Sequence, residues 1–137
     1  MRFPYLLFPG HISPIPRPLV PVRYKYKNSQ TGIVMALLDS GADYSFASLR
    51  VALELGVNLK GVKPKSIAGF GGSKTECFPK QILVEIGGRD ILLTVYFGGS
   101  LPQEFLSVLG QETLFDSAKI SFERYKQSFR VEWKKRK

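Results

Sequence analysis

The chain has 137 residues, 44% of them hydrophobic, with 20 Lys/Arg against 11 Asp/Glu and a net charge of +9. One domain of this length holds a core without staples, and a lone cysteine, Cys77, excludes an internal disulfide. One Cys and one His (His11) exclude a four-ligand His/Cys zinc site within the chain, and no apolar run reaches the roughly 18–20 residues of a membrane span.

Ten Phe, six Tyr, 13 Gly and nine Pro favour strands and turns, so the domain is expected to be mostly β. The apolar stretch Tyr5–Phe8 before Pro9-Gly10 is shorter than the roughly 7–15 residues of a signal-peptide core, which points to a cytoplasmic protein. The positive charge gathers at the ends: five Lys/Arg and no acid in residues 1–38, and seven against Glu132 in residues 124–137. No aromatic residue interleaves with Lys134-Lys135-Arg136-Lys137, so a solvated tail is the simpler reading and nucleic acid is not expected as a partner. A Cys77–His11 nucleophilic pair has no local signature to support it. Cys77 reads as a small apolar filler and His11 as part of an arm, which leaves the chemistry to carboxylates and hydroxyls.

In chain order, residues 1–18 carry five prolines (Pro4, Pro9, Pro14, Pro16, Pro18) and read as an extended arm, since proline lacks the donor a sheet ladder needs. Leu19–Lys27 alternates as a strand and Asn28–Gly32 reads as its turn. Ile33–Leu38 is continuously apolar, the pattern of a strand buried on both faces, and it ends abruptly at Asp39-Ser40-Gly41. Ser45–Leu55 has helical spacing, with Gly56 as the stop. Pro64–Phe78 predicts a hairpin with a glycine-rich tip. Gln81–Ile86, Gly87-Gly88 and Asp90–Phe97 predict a second hairpin on a two-glycine turn. Leu106–Leu109 predicts a buried strand, Gln111–Phe115 a helical turn, and Lys119–Phe122 and Ser128–Trp133 the last two strands. The sequence contains no internal repeat.

The sharpest local feature is Leu37-Leu38-Asp39-Ser40-Gly41-Ala42-Asp43. A carboxylate directly follows an apolar strand, Ser40 supplies a bracing hydroxyl, and Gly41 permits a turn that exposes backbone amides beside the acid. Alone the motif is weak, because Asp before Gly commonly forms an Asx-turn. Two further segments accompany it. Ile67-Ala68-Gly69-Phe70-Gly71-Gly72 mixes apolar residues with glycines at a hairpin tip, and Leu106-Ser107-Val108-Leu109-Gly110 is a second apolar strand ending in glycine.

Together and in this order the three segments resemble the retropepsin family, the retroviral proteases with their cellular and bacterial relatives. Asp39-Ser40-Gly41-Ala42-Asp43 resembles the family's signature, Ile67–Gly72 its flap, and Val108-Leu109-Gly110 the element that supports the active-site loop. The resemblance covers residues 17–133, leaving residues 1–16 as a Pro-rich arm and 134–137 as a basic tail. It implies a closed β-barrel or sandwich with a flap hairpin and one or two short helices, acting as a homodimer. It implies an aspartic endopeptidase that needs no cofactor and no metal. Asp39 would be catalytic, Ser40, Gly41, Ala42 and Asp43 would support the loop, and Phe70 would cap the groove. Leu37, Leu106 and Val108 would line apolar subsites.

Two departures stand out. An arginine commonly follows the third-motif glycine in retroviral relatives and pairs with the acid after the signature; here the position is Gln111, which leaves the role of Asp43 open. A helix-like insertion around Ala47–Leu55 is closer to cellular and bacterial members. Aspartic proteolysis takes two carboxylates sharing one proton, and a chain with one signature and no repeat must obtain the second from another copy. Two rival readings are a catalytically silent dimeric interaction module and a basic β-barrel that binds nucleic acid. The first leaves the intact Asp-Ser-Gly without a purpose, the second leaves both Asp39 and the flap glycines without one.

Overall fold

The computed structural model describes residues 1–7, 15–68, 72–98 and 107–135. In chain order its elements are β1 (Arg2–Pro4), β2 (Leu19–Tyr26), β3 (Ser29–Gln30), β4 (Val34–Leu38), β5 (Ser45–Ala47), α1 (Leu49–Leu55) and β6 (Lys65–Ala68). Then follow β7 (Lys74–Ile86), β8 (Arg89–Gly98), β9 (Ser107–Leu109), α2 (Leu114–Ser117), β10 (Ala118–Glu123), a 3-10 turn (Arg124–Lys126) and β11 (Ser128–Trp133).

Six strands close into a barrel: β2 pairs with β4, β4 with β9, β9 with β5, β5 with β8, β8 with β7, and β7 returns to β2. The period-two pattern of the strands supplies the interior. Val20, Val22 and Tyr24 of β2 meet Val34, Ala36 and Leu38 of β4, Ile82, Val84 and Ile86 of β7, and Leu93, Val95 and Phe97 of β8. Each large side chain buried here contributes about 1.5–3 kcal/mol relative to exposure. The hairpin between β7 and β8 turns on Gly87 and Gly88, whose φ values of 58° and 79° are the left-handed pair that such a tight turn requires.

Two prolines lie inside barrel strands, and the pairing explains why they are tolerated. Pro21 precedes Val22, where β2 begins to pair with β7, so at that point β4 is its one neighbour. Pro79 lies after β6 stops pairing at Cys77 and before β2 begins at Leu83, so there β7 has β8 alone. A missing donor is least damaging where a strand has an open side. This lets β7 run unbroken from the β6–β7 hairpin into the β7–β8 hairpin, where the sequence suggested two separate strands.

Other boundaries also differ from expectation. Ser45–Ala47 are strand, because β8 and β9 offer Phe46 and its neighbours ladders on both sides; the helix starts only at Leu49. Gly56 does end α1, at φ 70°, with its amide donating to Leu53 O at 3.1 Å. The second helix begins three residues later than expected, at Leu114, and the amide of Thr113 is held by Asp116 Oδ2 at 3.2 Å. The turn after β2 forms at Lys27-Asn28, because Ser29–Gln30 pairs back as β3. β4 is fully buried on one face only: Met35 and Leu37 are half-buried on the other, packing with Leu19, Val108 and Ala42 as a separate small cluster.

A three-stranded sheet, ordered β1-β11-β10, closes the other part of the molecule. Arg2, Phe3 and Pro4 pair with Arg130, Phe129 and Ser128, so the beginning of the Pro-rich segment is an edge strand, a place where Pro4 is permitted. Phe3 stacks on Phe129 at 5.3 Å between ring centroids, and Tyr5 meets the same ring edge-on at 5.9 Å.

Candidate active site

Strands β4 and β5 lie on opposite sides of β9: Leu37 and Leu38 pair with Val108 and Leu109, and Phe46 and Ala47 pair with Val108 and Ser107. Residues 39–44, which join β4 to β5, must therefore cross the end of β9. The crossing is tight. A Cβ on Gly110 would lie 2.2 Å from Tyr44 O and 2.6 Å from Ala42 O, so no larger residue fits beneath the loop.

Hydrogen bonds fix the loop where it crosses. Asp39 N donates to Leu109 O at 2.9 Å, Gln111 N to Ala42 O at 2.9 Å, and Glu112 N to Asp43 O at 2.9 Å. The Ser45 hydroxyl accepts from Gly110 N at 3.1 Å. Within the loop, Gly41 N donates to the Asp39 carboxylate at 2.9 Å, and the Gln111 side-chain amide donates to Ser40 O. Asp39 is half-buried, whereas Ser40, Gly41 and Asp43 are exposed. Leu37, Ala42 and Val108 sit together in the small apolar cluster beside the loop.

The residues picked from sequence thus fall into three groups. Asp39, Ser40, Gly41, Ala42 and Asp43 form one braced loop, with Leu37 and Val108 next to it. Ile67, Ala68 and Gly72 belong to the β6–β7 hairpin, where Ile67 pairs with Thr75, Ala68 with Lys74, and Gly72 has φ 85°. Gly69, Phe70, Gly71 and Leu106 lie outside the described residues. Cys77 is buried in β7, and burial pushes its thiol pKa up. His11 is also outside the described residues. Among the described residues no helix is long and apolar enough to cross a membrane.

Sequence reasoning missed a cluster linking the β6–β7 hairpin to the loop. Lys65 Nζ of β6 donates to Tyr44 OH at 3.3 Å and lies 4.5 Å from the Tyr44 ring centroid and 5.6 Å from that of Tyr96. The two tyrosine rings are 4.9 Å apart. The bond to Tyr44 raises the Lys65 pKa, with Tyr96 adding to it, while burial raises that of Tyr96. An aromatic directly after the signature was the one available signal. A second missed contact is inside the barrel, where the Tyr24 hydroxyl bonds that of Ser107. Burial pushes the Tyr24 pKa up to about 12, and the Ser107 bond opposes it.

No protein-family model matches the chain. Its structure is similar to that of EIAV protease complexed with the inhibitor HBY-793, at 25% sequence identity and a TM-score of 0.57, over 73% of this chain and 86% of that one. It is also similar to a retropepsin-like aspartic protease from Rickettsia conorii, at 16% identity and a TM-score of 0.62, over 84% of this chain and 83% of that one. The closed barrel with its braced acid loop is the fold of an aspartic protease. More narrowly, it is the retropepsin-like fold.

Proposed function

We propose that the chain is one subunit of a homodimeric aspartic endopeptidase in which Asp39 and its symmetry mate activate a water molecule. The observation that carries this is the position of Asp39: a half-buried carboxylate on a loop braced from below by β9 and oriented by the Gly41 amide. The fold shared with aspartic proteases supports it.

Two such carboxylates about 3 Å apart hold a single proton, because both cannot ionise at that separation. The ionised member takes a proton from water as the water oxygen attacks the peptide carbonyl carbon. The protonated member donates its proton to the carbonyl oxygen. Collapse of the resulting diol breaks the C–N bond and delivers a proton to the leaving amine. In this reading Ser40 and Gly41 hold the paired loops and the substrate backbone. Leu37 and Val108, with Leu106, receive apolar side chains, and Ile67–Gly72 forms the flap, with Phe70 capping the groove. Residues 17–133 form the catalytic unit.

The test is cleavage of a peptide library, read by mass spectrometry, by the wild type and by Asp39→Asn. The wild type is expected to show a bell-shaped pH profile, and the variant a loss of about a thousandfold or more. Equal cleavage by the two would reject the mechanism. Failure to bind a statine-type inhibitor, which mimics the tetrahedral transition state, together with no cleavage would favour the silent interaction module.

A further inference from the structure

The peptide unit between Ser40 and Gly41 has two bonding groups, and both are occupied. Its carbonyl oxygen accepts from the Gln111 side-chain amide, and its N–H donates to Asp39 Oδ1 at 2.9 Å. A peptide unit is planar, with a barrier of roughly 18–20 kcal/mol to rotation about its C–N bond, so holding the carbonyl fixes the direction of the N–H on the opposite side. Hydrogen bonds at the two ends of one amide also polarise each other and strengthen together. Gln111 is itself held by its main chain, through Gln111 N to Ala42 O at 2.9 Å and Phe115 N to Gln111 O at 3.0 Å.

The donor in this chain of contacts carries no charge. The ion pairs of the described residues lie elsewhere, between Lys25 and both Glu85 and Asp90, and between Lys126 and Glu123. The titratable groups on the segments meeting here are Asp39, Asp43, Tyr44, Tyr96, Lys65, Glu112 and Asp116. None of them supplies the bond to Ser40 O.

We propose that Gln111 is a positioning residue that orients the Asp39 carboxylate through the rigid Ser40–Gly41 peptide unit, a neutral brace whose grip does not change with pH. The proposal rests on the proteolytic reading for its catalytic consequence, but its geometric part does not. A glutamate at position 111 reproduces the brace only while protonated. Once ionised, it has no proton to donate and faces the Ser40 carbonyl oxygen with negative charge.

The experiment compares full-length wild type, Gln111→Leu and Gln111→Glu by Gly41 amide exchange in NMR spectra and by peptide-cleavage kinetics across pH. Gln111→Leu is expected to exchange the Gly41 amide about tenfold faster and to lose about tenfold in kcat with KM nearly unchanged. Gln111→Glu is expected to match the wild type at acid pH and to lose kcat as its new carboxyl ionises, narrowing the alkaline side of the profile. A merely structural role would leave the shape of that profile alone. Wild-type Gly41 exchange in Gln111→Leu, or an unchanged profile shape in Gln111→Glu, overturns the proposal. Should Gln111→Leu fail to fold, the pH comparison within Gln111→Glu decides alone. The two readings fail separately, since equal cleavage by Asp39→Asn sinks the proteolytic mechanism while Gly41 exchange still reports on the brace.

Discussion

At the scale of single residues, Gly110 shows how one atom decides whether the site can form. Its φ is not in the left-handed region, so conformational freedom is not the reason for glycine there. The reason is contact: the atoms a Cβ would strike are backbone oxygens of the loop, which cannot swing aside as a side chain could. Gly110→Ala is expected to destabilise the fold by about 1–3 kcal/mol and to cut turnover at least tenfold by lifting the loop. Urea unfolding and peptide kinetics measure the two effects. Gly32, where a Cβ would meet nothing within 4 Å, is the control, and Gly32→Ala should leave activity unchanged. A glycine after an apolar strand was legible in the sequence. The resemblance implied that it supports the loop; the backbone contact that admits only glycine was not legible, because the residues that create it lie far away along the chain.

At the scale of elements, the barrel is tied across its interior as well as around its wall. Tyr24 of β2 is fully buried, and its hydroxyl meets that of Ser107 at the start of β9, the strand beneath the Asp39 loop. Burial raises the folded-state pKa of Tyr24 from 10.0 to about 12. For an acid raised in this way, the folded state binds more protons than the unfolded state between those values. Stability from this group is therefore complete below pH 10 and is lost as pH rises through about 12, by roughly 2–3 kcal/mol. Tyr24→Phe removes that dependence but leaves the buried Ser107 hydroxyl without its partner, at a cost of about 1–3 kcal/mol at neutral pH. Urea midpoints between pH 7 and 12 should show a less stable variant with a flatter alkaline decline. The mismatch at Ser45–Ala47 is also an element-scale effect. Local spacing favoured a helix from Ser45, but β8 and β9 provided ladders on either side. Local preference amounts to tenths of a kcal/mol per residue, which tertiary pairing overrides.

At the scale of the whole molecule, one face of β4 and the loop beside it are left partly uncovered. The continuous apolar run of β4 read as burial on both faces, yet in one chain Met35 and Leu37 are only half covered. Ser40 and Gly41, beside the acid, are exposed. On the proposed two-carboxylate mechanism, a chain with one Asp-Ser-Gly signature and no repeat supplies one of the two acids. Specific activity is therefore expected to fall on dilution in step with dimer dissociation followed by sedimentation. Undiminished specific activity at concentrations where sedimentation shows only monomer would rule out a shared site.

The sequence by itself determined the mostly-β class, the acid at the end of an apolar strand and most of the strands of the core. Those properties depend on local period and composition: alternating apolar residues in β2, β7 and β8, two glycines at the second hairpin, and an acid where an apolar strand stops. Tertiary structure alone decided which side chain holds the Ser40–Gly41 peptide unit beside the acid. Gln111 appeared in the sequence as the start of a helical turn and as a missing arginine; in the fold its amide reaches Ser40 O across 71 residues of sequence. Lys65 and Tyr44 come together because the β6–β7 hairpin folds back toward the loop, and no periodicity in either segment encodes that distance. Period tells a strand which side is inward. Which other strand lies against it is a property of barrel closure, and the chemistry of the site is set at that second level.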